Sequence, residues 1–218
     1  MKIKLEEFLT TQTQYSRRKI LELLKSGEIK VNGQVATSLI QIIETQNDHV
    51  KLKNERICST IQYRVYKFNK PSNIISTLHD PKDRKDLTSF SNKLGKNLTP
   101  VGRLDRKTKG LMIWTNDGTL ANQILHPKYE LPKTYRVEID NPITKTHMNR
   151  LETGIFLEDG PISCSRVEYE SKKCMHVTIH EGRNRIVRRL FEFLGYKVTH
   201  LKRTHVGPIS LGKCKEGE

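Results

Sequence analysis

A single carboxylate stands among cations in a short segment that leads into an apolar run. Asp105 lies between Arg103 and Arg106, and Gly102 and Gly110 flank the segment. Nearby guanidinium groups favour the ionised form of a carboxyl group, and glycines let a substrate approach the backbone closely. An ionised, partly desolvated aspartate suits nucleophilic or base chemistry at a sugar carbon better than proton donation. The segment alone leaves a structural salt bridge open as the alternative.

Other groups that could do chemistry form weaker patterns. Enzymes that hydrolyse glycosidic bonds usually pair two carboxyl groups, whereas Asp105 has no comparable partner in its segment. His176 and His180 are four residues apart, but the run MHVTIH alternates apolar and polar residues and predicts a strand, not a metal-binding helix. The cysteines have no two-residue spacing and predict reduced thiols: Cys58, Cys164, Cys174 and Cys214. We therefore expect no metal site.

The composition indicates a polyanionic partner. The 218 residues include 39 Lys and Arg against 24 Asp and Glu, which gives a formal net charge of +15. RNA, DNA or an anionic membrane would each suit this excess. The sequence has no apolar run of 18 residues, and its first ten residues carry two glutamates where a secretion signal would be apolar. We therefore expect a cytoplasmic protein without a membrane segment.

The elements that must position these groups begin with a small N-terminal unit. A first helix would carry its apolar residues on one side: Ile3, Leu5, Phe8 and Leu9. A second helix is predicted between Ser16 as N-cap and Gly27 as left-handed C-terminal cap. Its buried residues would be Ile20, Leu21, Leu23 and Leu24. Asn32-Gly33 predicts a tight turn of the primed type in a hairpin.

Three cations crowd the start of the second predicted helix. Arg17, Arg18 and Lys19 lie where the helix dipole is already positive, so they reduce helix stability. Their side chains could simply extend into water. Three cations in a row beside exposed helix amides favour a phosphate-binding site instead.

From residue 61 onward the pattern predicts an α+β domain with a mostly antiparallel sheet. Strands are predicted at QYRVYKF, GLMIWT, KTYRVEID, MHVTIH and KVTHLKRTHVG, and helices at TLANQILH and NRIVRRLFEFLG. The polar span 79–100 predicts a loop followed by a short helix. Trp114 is expected in the core.

Four motifs occur in the order seen in the bacterial rRNA pseudouridine synthases of the RsuA-like branch. They are KPSNIIST, GRLDRKTKGL with TNDG, LPKTYRV, and EGRNRIVRRLFEFLGYKVTHLKRTHVGPISLG. The stretch LEEFLTTQTQYSRRKILELLKSGEIKVNGQV resembles the small RNA-binding domain of a small-subunit ribosomal protein. The resemblance implies an RNA-binding helix-helix-hairpin domain at 1–60 and, at 61–218, a pseudouridine synthase catalytic domain: a mostly antiparallel mixed sheet with a central cleft.

The resemblance implies an isomerase that detaches uracil from its ribose and rejoins it through carbon, without cofactor or metal. The expected partner is structured ribosomal RNA, and the expected state is a monomer. Asp105 matches the catalytic aspartate, acting as nucleophile or as base. Tyr135 matches the tyrosine that packs on the target base, and Arg188 matches the basic residue that pairs with the aspartate.

Further contacts are expected from the residues around these three. The substrate-binding and RNA-binding set is Arg17, Arg18, Lys19, Lys70, Arg103, Leu104, Arg183 and Arg203. Lys109 is also expected to meet phosphate, and Leu104 and Leu111 are expected to wall the uracil pocket. Spacing alone would instead place Arg188 on a solvated helix face, paired with Glu192.

Several points stay open at the level of sequence. Asn73 replaces a frequent glycine and is expected to keep the turn, since asparagine tolerates positive φ. Ile186 replaces a frequent glutamine, which removes a polar contact near the site. The chain ends at Glu218, where relatives usually continue, so its tail is either dispensable or incomplete. A non-catalytic rRNA-binding or ribosome-assembly factor is the alternative function, and the target subunit is undecided.

Overall fold

The computed structural model describes residues 1–58, 60–95 and 97–218. In these residues six helices, α1 to α6, span Leu5–Gln12, Arg17–Lys25, Thr88–Leu94, Gly118–Leu125, Lys145–Thr153 and Ile186–Phe193. Strands β1 to β8 are Lys2–Lys4, Ile29–Val31, Gln34–Val35, Ile42–Glu44, Val50–Leu52, Glu55–Arg56, Val65–Lys70 and Thr99–Val101. Strands β9 to β16 are Lys109–Thr115, Lys133–Ile139, Ile155–Leu157, Gly160–Ile162, Arg166–Ser171, Cys174–Ile179, Val198–Val206 and Ile209–Ser210.

The chain divides into two compact units. The first contains Met1–Val65 with Ser91–Thr99 and Thr115–Gly118. The second contains Tyr66–Phe90, Pro100–Trp114 and Thr119–Glu218.

The first unit packs α1 and α2 with two small sheets, β1-β4 and β3-β2-β5-β6. The Ser16 hydroxyl accepts a hydrogen bond from the Lys19 amide at 3.2 Å, which confirms the predicted N-cap. Gly27 has φ of +73° after α2, as its capping role requires. Asn32 and Gly33 have φ of +51° and +85°, which confirms the primed turn.

Two details of this unit differ from the sequence prediction. Helix α1 begins at Leu5, and Ile3 lies instead in β1, paired with Ile43 of β4. Ile3 is nevertheless buried, because alternate residues of a strand also point to one side. Leu21 is exposed rather than part of the buried stripe of α2, which Ile20 and Leu23 form.

The second unit is built on an eight-stranded mixed sheet. Its strands run in the order β13-β14-β10-β15-β9-β7, with β16 beside β15 and β8 beside β9. The pairs β13-β14, β14-β10 and β10-β15 are antiparallel, whereas β15 and β9 are parallel. The predicted mixed, mostly antiparallel sheet is therefore present.

One glycine lets the parallel pair form. Gly110 of β9 lies opposite Arg203 of β15 and has φ of +110°. A Cβ atom at this position would lie 2.3 Å from the Arg203 carbonyl oxygen. Because β9 directly follows the Asp105 segment, this close backbone contact places that segment against the middle of the sheet.

The strands and helices predicted from residue 61 onward are present, together with elements that were not predicted. Helix α3 follows a loop as expected for the span 79–100, of which Lys96 lies outside the described residues. Trp114 is fully buried beside Phe68, as predicted. Helix α5 and the hairpin β11-β12 were not predicted. The sequence signal for α5 was Thr144, since threonine is a favoured N-cap residue. In the structure its hydroxyl accepts a hydrogen bond from the His147 amide.

Candidate active site

A cleft of about 900 Å³ opens in the second unit, and Asp105 lies in its wall. The side chain is half-buried. Its carboxylate makes no hydrogen bond or ion pair with any residue that the structure describes. The salt bridge that the sequence left open is therefore not formed, and the carboxylate can face a substrate. We refer to this cavity as the central cleft.

The backbone of the Asp105 segment is held by a buried lysine. Lys70, at the end of β7, has no exposed surface. Its Nζ donates to the carbonyl oxygens of Pro71 at 3.0 Å and Thr108 at 2.9 Å, and to those of Asp105 and Arg106 at 3.4 Å each. Burial lowers the pKa of Lys70 to about 8, against the opposing effect of Asp105.

The expectation that Lys70 contacts RNA is corrected by this position. An ammonium group without exposed surface, surrounded by backbone acceptors, fixes the segment 105–108 and has no access to a phosphate. The neighbouring turn supports the same segment. Asn73 has φ of +65°, as expected, and its amide donates to the Arg106 carbonyl at 2.7 Å. Ser76, which sequence reasoning missed, exchanges hydrogen bonds with both backbone groups of Leu104.

Arg188 reaches the same segment from helix α6. It is only 6% exposed, and its Nη1 donates to the Val198 carbonyl at 3.1 Å. Its Nη2 lies 3.5 Å from the Thr108 hydroxyl, and the Thr108 amide donates to the Asp105 carbonyl at 2.9 Å. The Nε atom is buried without a partner among the described residues. Burial and the charge of Arg185 lower the pKa of Arg188, whereas Asp105 raises it.

The solvated pairing of Arg188 with Glu192 is therefore wrong. Arg185 forms that ion pair instead, at 3.2 Å. Arg188 turns inward because Ile186, Val187, Leu190 and Phe191 of the same helix are also buried, which leaves little solvated surface at its position. The structure thus brings Arg188 to the Asp105 segment through Thr108 and through charge.

An aromatic ring and a second buried arginine line the central cleft from the sheet. Tyr135 of β10 is 8% exposed and lies opposite Arg203 of β15. Arg203 is 5% exposed, and its Nε donates to the Leu111 carbonyl at 2.7 Å. Arg203 was predicted to contact phosphate, but the structure places it in a buried position inside the cleft. Lys133, which the sequence analysis missed, also lines the cleft, and burial followed by the charge of Arg203 lowers its pKa.

The remaining predicted residues take different positions. Arg103 and Leu104 line the central cleft, and the exposed guanidinium of Arg103 has no hydrogen bond or ion pair within the described residues. Arg183 lines the cleft too, but it is paired with Asp159 and Glu181.

Two predicted contacts are redirected within the second unit. Lys109 forms an ion pair with Glu216 at 2.8 Å. Leu111 is fully buried among Val101 and Ile113, so it belongs to the core and does not wall the cleft. All residues of β9 from Gly110 to Thr115 are buried, and of the two same-face residues Leu111 and Ile113 only Ile113 reaches the cleft wall.

Other kinds of site are not apparent in the described ranges. No group of three or more His, Cys, Asp or Glu side chains there could hold a metal ion. Among those same residues, no helix is long and apolar enough to cross a membrane.

Comparison with known proteins identifies the class to which this fold and cleft belong. A model of the RNA pseudouridylate synthase family matches residues 64–193. A crystal structure of a pseudouridylate synthase superimposes with a TM-score of 0.69 at 27% identity, covering 99% of this chain and 94% of that one. The chain therefore belongs to the RNA pseudouridine synthase family.

Two relatives match along nearly the whole chain. An uncharacterized RNA pseudouridine synthase of Aquifex aeolicus is 38% identical and covers 100% of this chain and 89% of its own length. The ribosomal large subunit pseudouridine synthase B of Bacillus subtilis is 40% identical over 93% of this chain and 85% of its own. The protein is thus an enzyme that isomerises uridine in RNA, and the alternative of a non-catalytic factor is set aside.

Proposed function

We propose that this enzyme converts a specific uridine of ribosomal RNA to pseudouridine, with Asp105 as its catalytic carboxylate. The observation that carries the proposal is the position of Asp105. Its backbone is held by Lys70 and Thr108, while its half-buried carboxylate faces the central cleft without a protein partner. A carboxylate that served mainly to hold the fold would be expected to pair with one of the arginines beside it, and Asp105 does not.

The chemistry follows from the groups around the cleft. The glycosidic C1′–N1 bond of uridine breaks, the uracil turns, and a C1′–C5 bond forms; the proton lost from C5 is balanced by one gained at N1. Asp105 attacks the sugar or removes a ribose proton, and both roles require an ionised carboxylate. The ring of Tyr135 offers a face for the unstacked base. The buried guanidinium of Arg188 lies 3.5 Å from the Thr108 hydroxyl, and the Thr108 amide donates to the Asp105 carbonyl, so Arg188 supports the position of the aspartate.

We assign the substrate to large-subunit rRNA and the protein to the RsuA-like branch. The Bacillus subtilis relative, by its name, acts on the large ribosomal subunit. The order of the four sequence motifs supports the branch. We further propose that the protein acts in the cytoplasm as a monomer and uses neither cofactor nor metal.

We assign RNA anchoring to residues 1–60, as a small domain of the ribosomal-protein type. The exposed cations at the start of α2 support this role. Arg18 makes no ion pair with the described residues, Arg17 lies 3.7 Å from Glu6, and Lys19 pairs with Glu22 at 2.7 Å. Exposed pairs of this kind are weak, so these side chains can exchange their partners for phosphates.

The test is to incubate the protein with unmodified large-subunit and small-subunit rRNA and to map pseudouridine by base-specific chemical labelling and primer extension. We expect one new mark in large-subunit rRNA. Asp105→Asn should abolish turnover while it leaves RNA affinity within about twofold, since it removes charge but hardly changes shape. Asp83→Asn, at an exposed position away from the cleft, is the matched control.

Three outcomes would contradict the proposal. An absence of any new mark with wild type would exclude rRNA as the substrate. A mark confined to small-subunit rRNA would exclude the assigned subunit. Equal losses of affinity and turnover in Asp105→Asn would show that Asp105 acts in binding and not in the chemical step.

A further inference from the structure

A second cavity, of about 760 Å³, borders the central cleft. Three residues line both cavities: Pro127, His180 and Glu181. One wall of the second cavity is the hairpin β11-β12, which contributes Phe156 and Pro161. The reaction proposed above uses none of these hairpin residues. We call this cavity the side pocket.

The hairpin presents an aromatic ring to this cavity. Phe156 is 75% exposed and is the most exposed aromatic side chain among the described residues. It pairs across the hairpin with Pro161, so the two side chains lie on the same face. Ile155 and Ile162 are buried on the opposite face. Single exposed apolar residues are common on protein surfaces, but Phe156 lines a cavity that borders the cleft of an RNA-modifying enzyme.

Two arginines hold the hairpin in place. Arg183 donates from Nη1 to the Asp159 carbonyl and from Nη2 to the Pro161 carbonyl, both at 2.8 Å. Arg189 donates to both carboxylate oxygens of Asp159 at 2.7 Å. Because Arg183 also lines the central cleft, the hairpin backbone that carries Phe156 is anchored next to that cleft. With the backbone already held, only the side-chain rotation of Phe156 is lost when a base stacks on it.

Polar groups lie beside the ring. The hydroxyls of Ser163 and Ser165 line the side pocket, and Ser165 is 3.0 Å from the Nε2 of His180. The Ser163 hydroxyl makes no hydrogen bond with the described residues. Unstacked RNA bases are recognised by an aromatic face together with donors and acceptors for the base edge. The side pocket offers this combination.

We propose that the side pocket binds one unstacked nucleotide adjacent to the target uridine, with its base stacked on Phe156. This inference rests on the proposal that the cleft around Asp105 receives the target. Extrusion of a uridine from its stack leaves the neighbouring base without a stacking partner. An aromatic platform at the edge of the cleft replaces that partner and stabilises the opened RNA.

The kinetic test compares Phe156→Ala with Phe156→Tyr and with Tyr169→Ala. We expect Phe156→Ala to raise KM for rRNA at least about fivefold, the lower end for loss of one base–aromatic stack, with a smaller change in kcat. Phe156→Tyr keeps the aromatic face and should stay near wild type. Tyr169 is also exposed but lies on edge strand β13 outside both cavities, so Tyr169→Ala should change KM less than about twofold.

A crosslinking test identifies the occupant directly. Phe156→p-benzoylphenylalanine is irradiated with the rRNA, and crosslinks are mapped as reverse-transcription stops relative to the modified uridine. A crosslink to one of the nucleotides flanking the target supports the proposal. Crosslinks only to distant RNA or to a second protein copy, or an unchanged KM in Phe156→Ala, overturn it. Wild-type modification of rRNA under the same conditions shows that the proposed function stands independently of that result.

Discussion

Asp105 owes its position to hydrogen bonds of its backbone, which leave its side chain without a protein partner. The ammonium group of Lys70 and the amide of Thr108 both contact the Asp105 carbonyl. Each of these contacts immobilises the main chain, while the carboxylate remains accessible from the central cleft. This arrangement suits the catalytic role that we propose for Asp105, because the geometry of its segment is fixed before a substrate binds.

The buried charge of Lys70 gives a prediction about stability and pH. Burial lowers the pKa of Lys70 from 10.5 to about 8. Above pH 10.5 the amine is neutral in both the folded and the unfolded protein, so folding carries no cost of burying a charge. As the pH falls through 8 the folded protein must hold a buried ammonium group, and that stability is lost. Wild type should therefore gain free energy of unfolding relative to Lys70→Met between pH 8 and pH 10.5, by up to about 3 kcal/mol. Urea unfolding at several pH values measures this difference.

The control for this prediction is Lys67→Met, an exposed position on the same strand β7. The difference between wild type and Lys67→Met should not vary with pH in this range. A pH-independent difference for Lys70→Met as well would show that folding does not lower the pKa of Lys70.

The two contacts of Arg188 predict that its shape matters as well as its charge. One lysine ammonium cannot reach both the Val198 carbonyl and the Thr108 hydroxyl, which the guanidinium spans. Arg188→Lys should lower kcat at least about tenfold with little change in KM, in line with the loss of a hydrogen bond made by a charged group. Single-turnover kinetics test this, with the exposed Arg150→Lys as control. A normal kcat in Arg188→Lys would contradict a positioning role.

At the scale of elements, the contact between β9 and β15 determines where the Asp105 segment lies. These strands are parallel neighbours, whereas the other strands beside β15, β10 and β16, are antiparallel to it. Thr108 immediately precedes β9, and Arg203 of β15 lies inside the cleft. The pairing therefore couples the position of Asp105 to the cleft wall that carries Tyr135.

Gly110→Ala tests this coupling. The added Cβ would lie 2.3 Å from the Arg203 carbonyl oxygen and 2.7 Å from its amide nitrogen, at a φ of +110° that alanine rarely adopts. We expect a loss of about 3 kcal/mol or more of unfolding free energy, measured by chemical denaturation. Gly182→Ala has open space around its Cβ position and should change stability by less than about 1 kcal/mol. Similar unfolding free energies for the two variants would show that β9 and β15 can move apart without loss of stability, and would contradict the proposed coupling.

At the scale of the whole molecule, the charge of +15 serves affinity more than chemistry. Phosphate contacts release counterions, so each one adds to the salt dependence of RNA binding without specifying a base. Among the cations that line the central cleft, Arg183 and Arg203 are held by partners in the protein, whereas the side chains of Arg103 and Arg106 have none among the described residues. These two cations account for little of the net charge, so surfaces outside the cleft are also expected to contribute to RNA affinity.

The start of α2 is the surface to test. Replacing Arg17, Arg18 and Lys19 by glutamine should reduce the slope of log affinity against log salt concentration by about 2 to 3, while kcat at saturating RNA stays unchanged. A variant with the same charge change at Lys145, Lys172 and Lys213, which are exposed and outside the cleft, controls for net charge. Equal slopes in the two variants would exclude α2 from the RNA footprint.

Local chemistry is what the sequence by itself determined. The cap at Ser16 and the turn at Asn32-Gly33 depend on backbone preferences of neighbouring residues, and both occur as predicted. The segment around Asp105 drew attention to a carboxylate that does line the cleft, although it took the order of all four motifs to favour it over a structural salt bridge. Helix α6 was also predictable from its apolar periodicity.

The partners of those groups were decided only by the tertiary structure. Thr108 and Arg188 are 80 residues apart, and Lys70 reaches carbonyls up to 38 residues away. No local preference encodes such contacts, so Lys70 was expected at the surface and Arg188 could be placed there as well. Both side chains are buried instead, and a desolvated cation must be satisfied by the acceptors that the fold brings to it. Asp105 could be found from its neighbours in sequence, but what holds it in place could not.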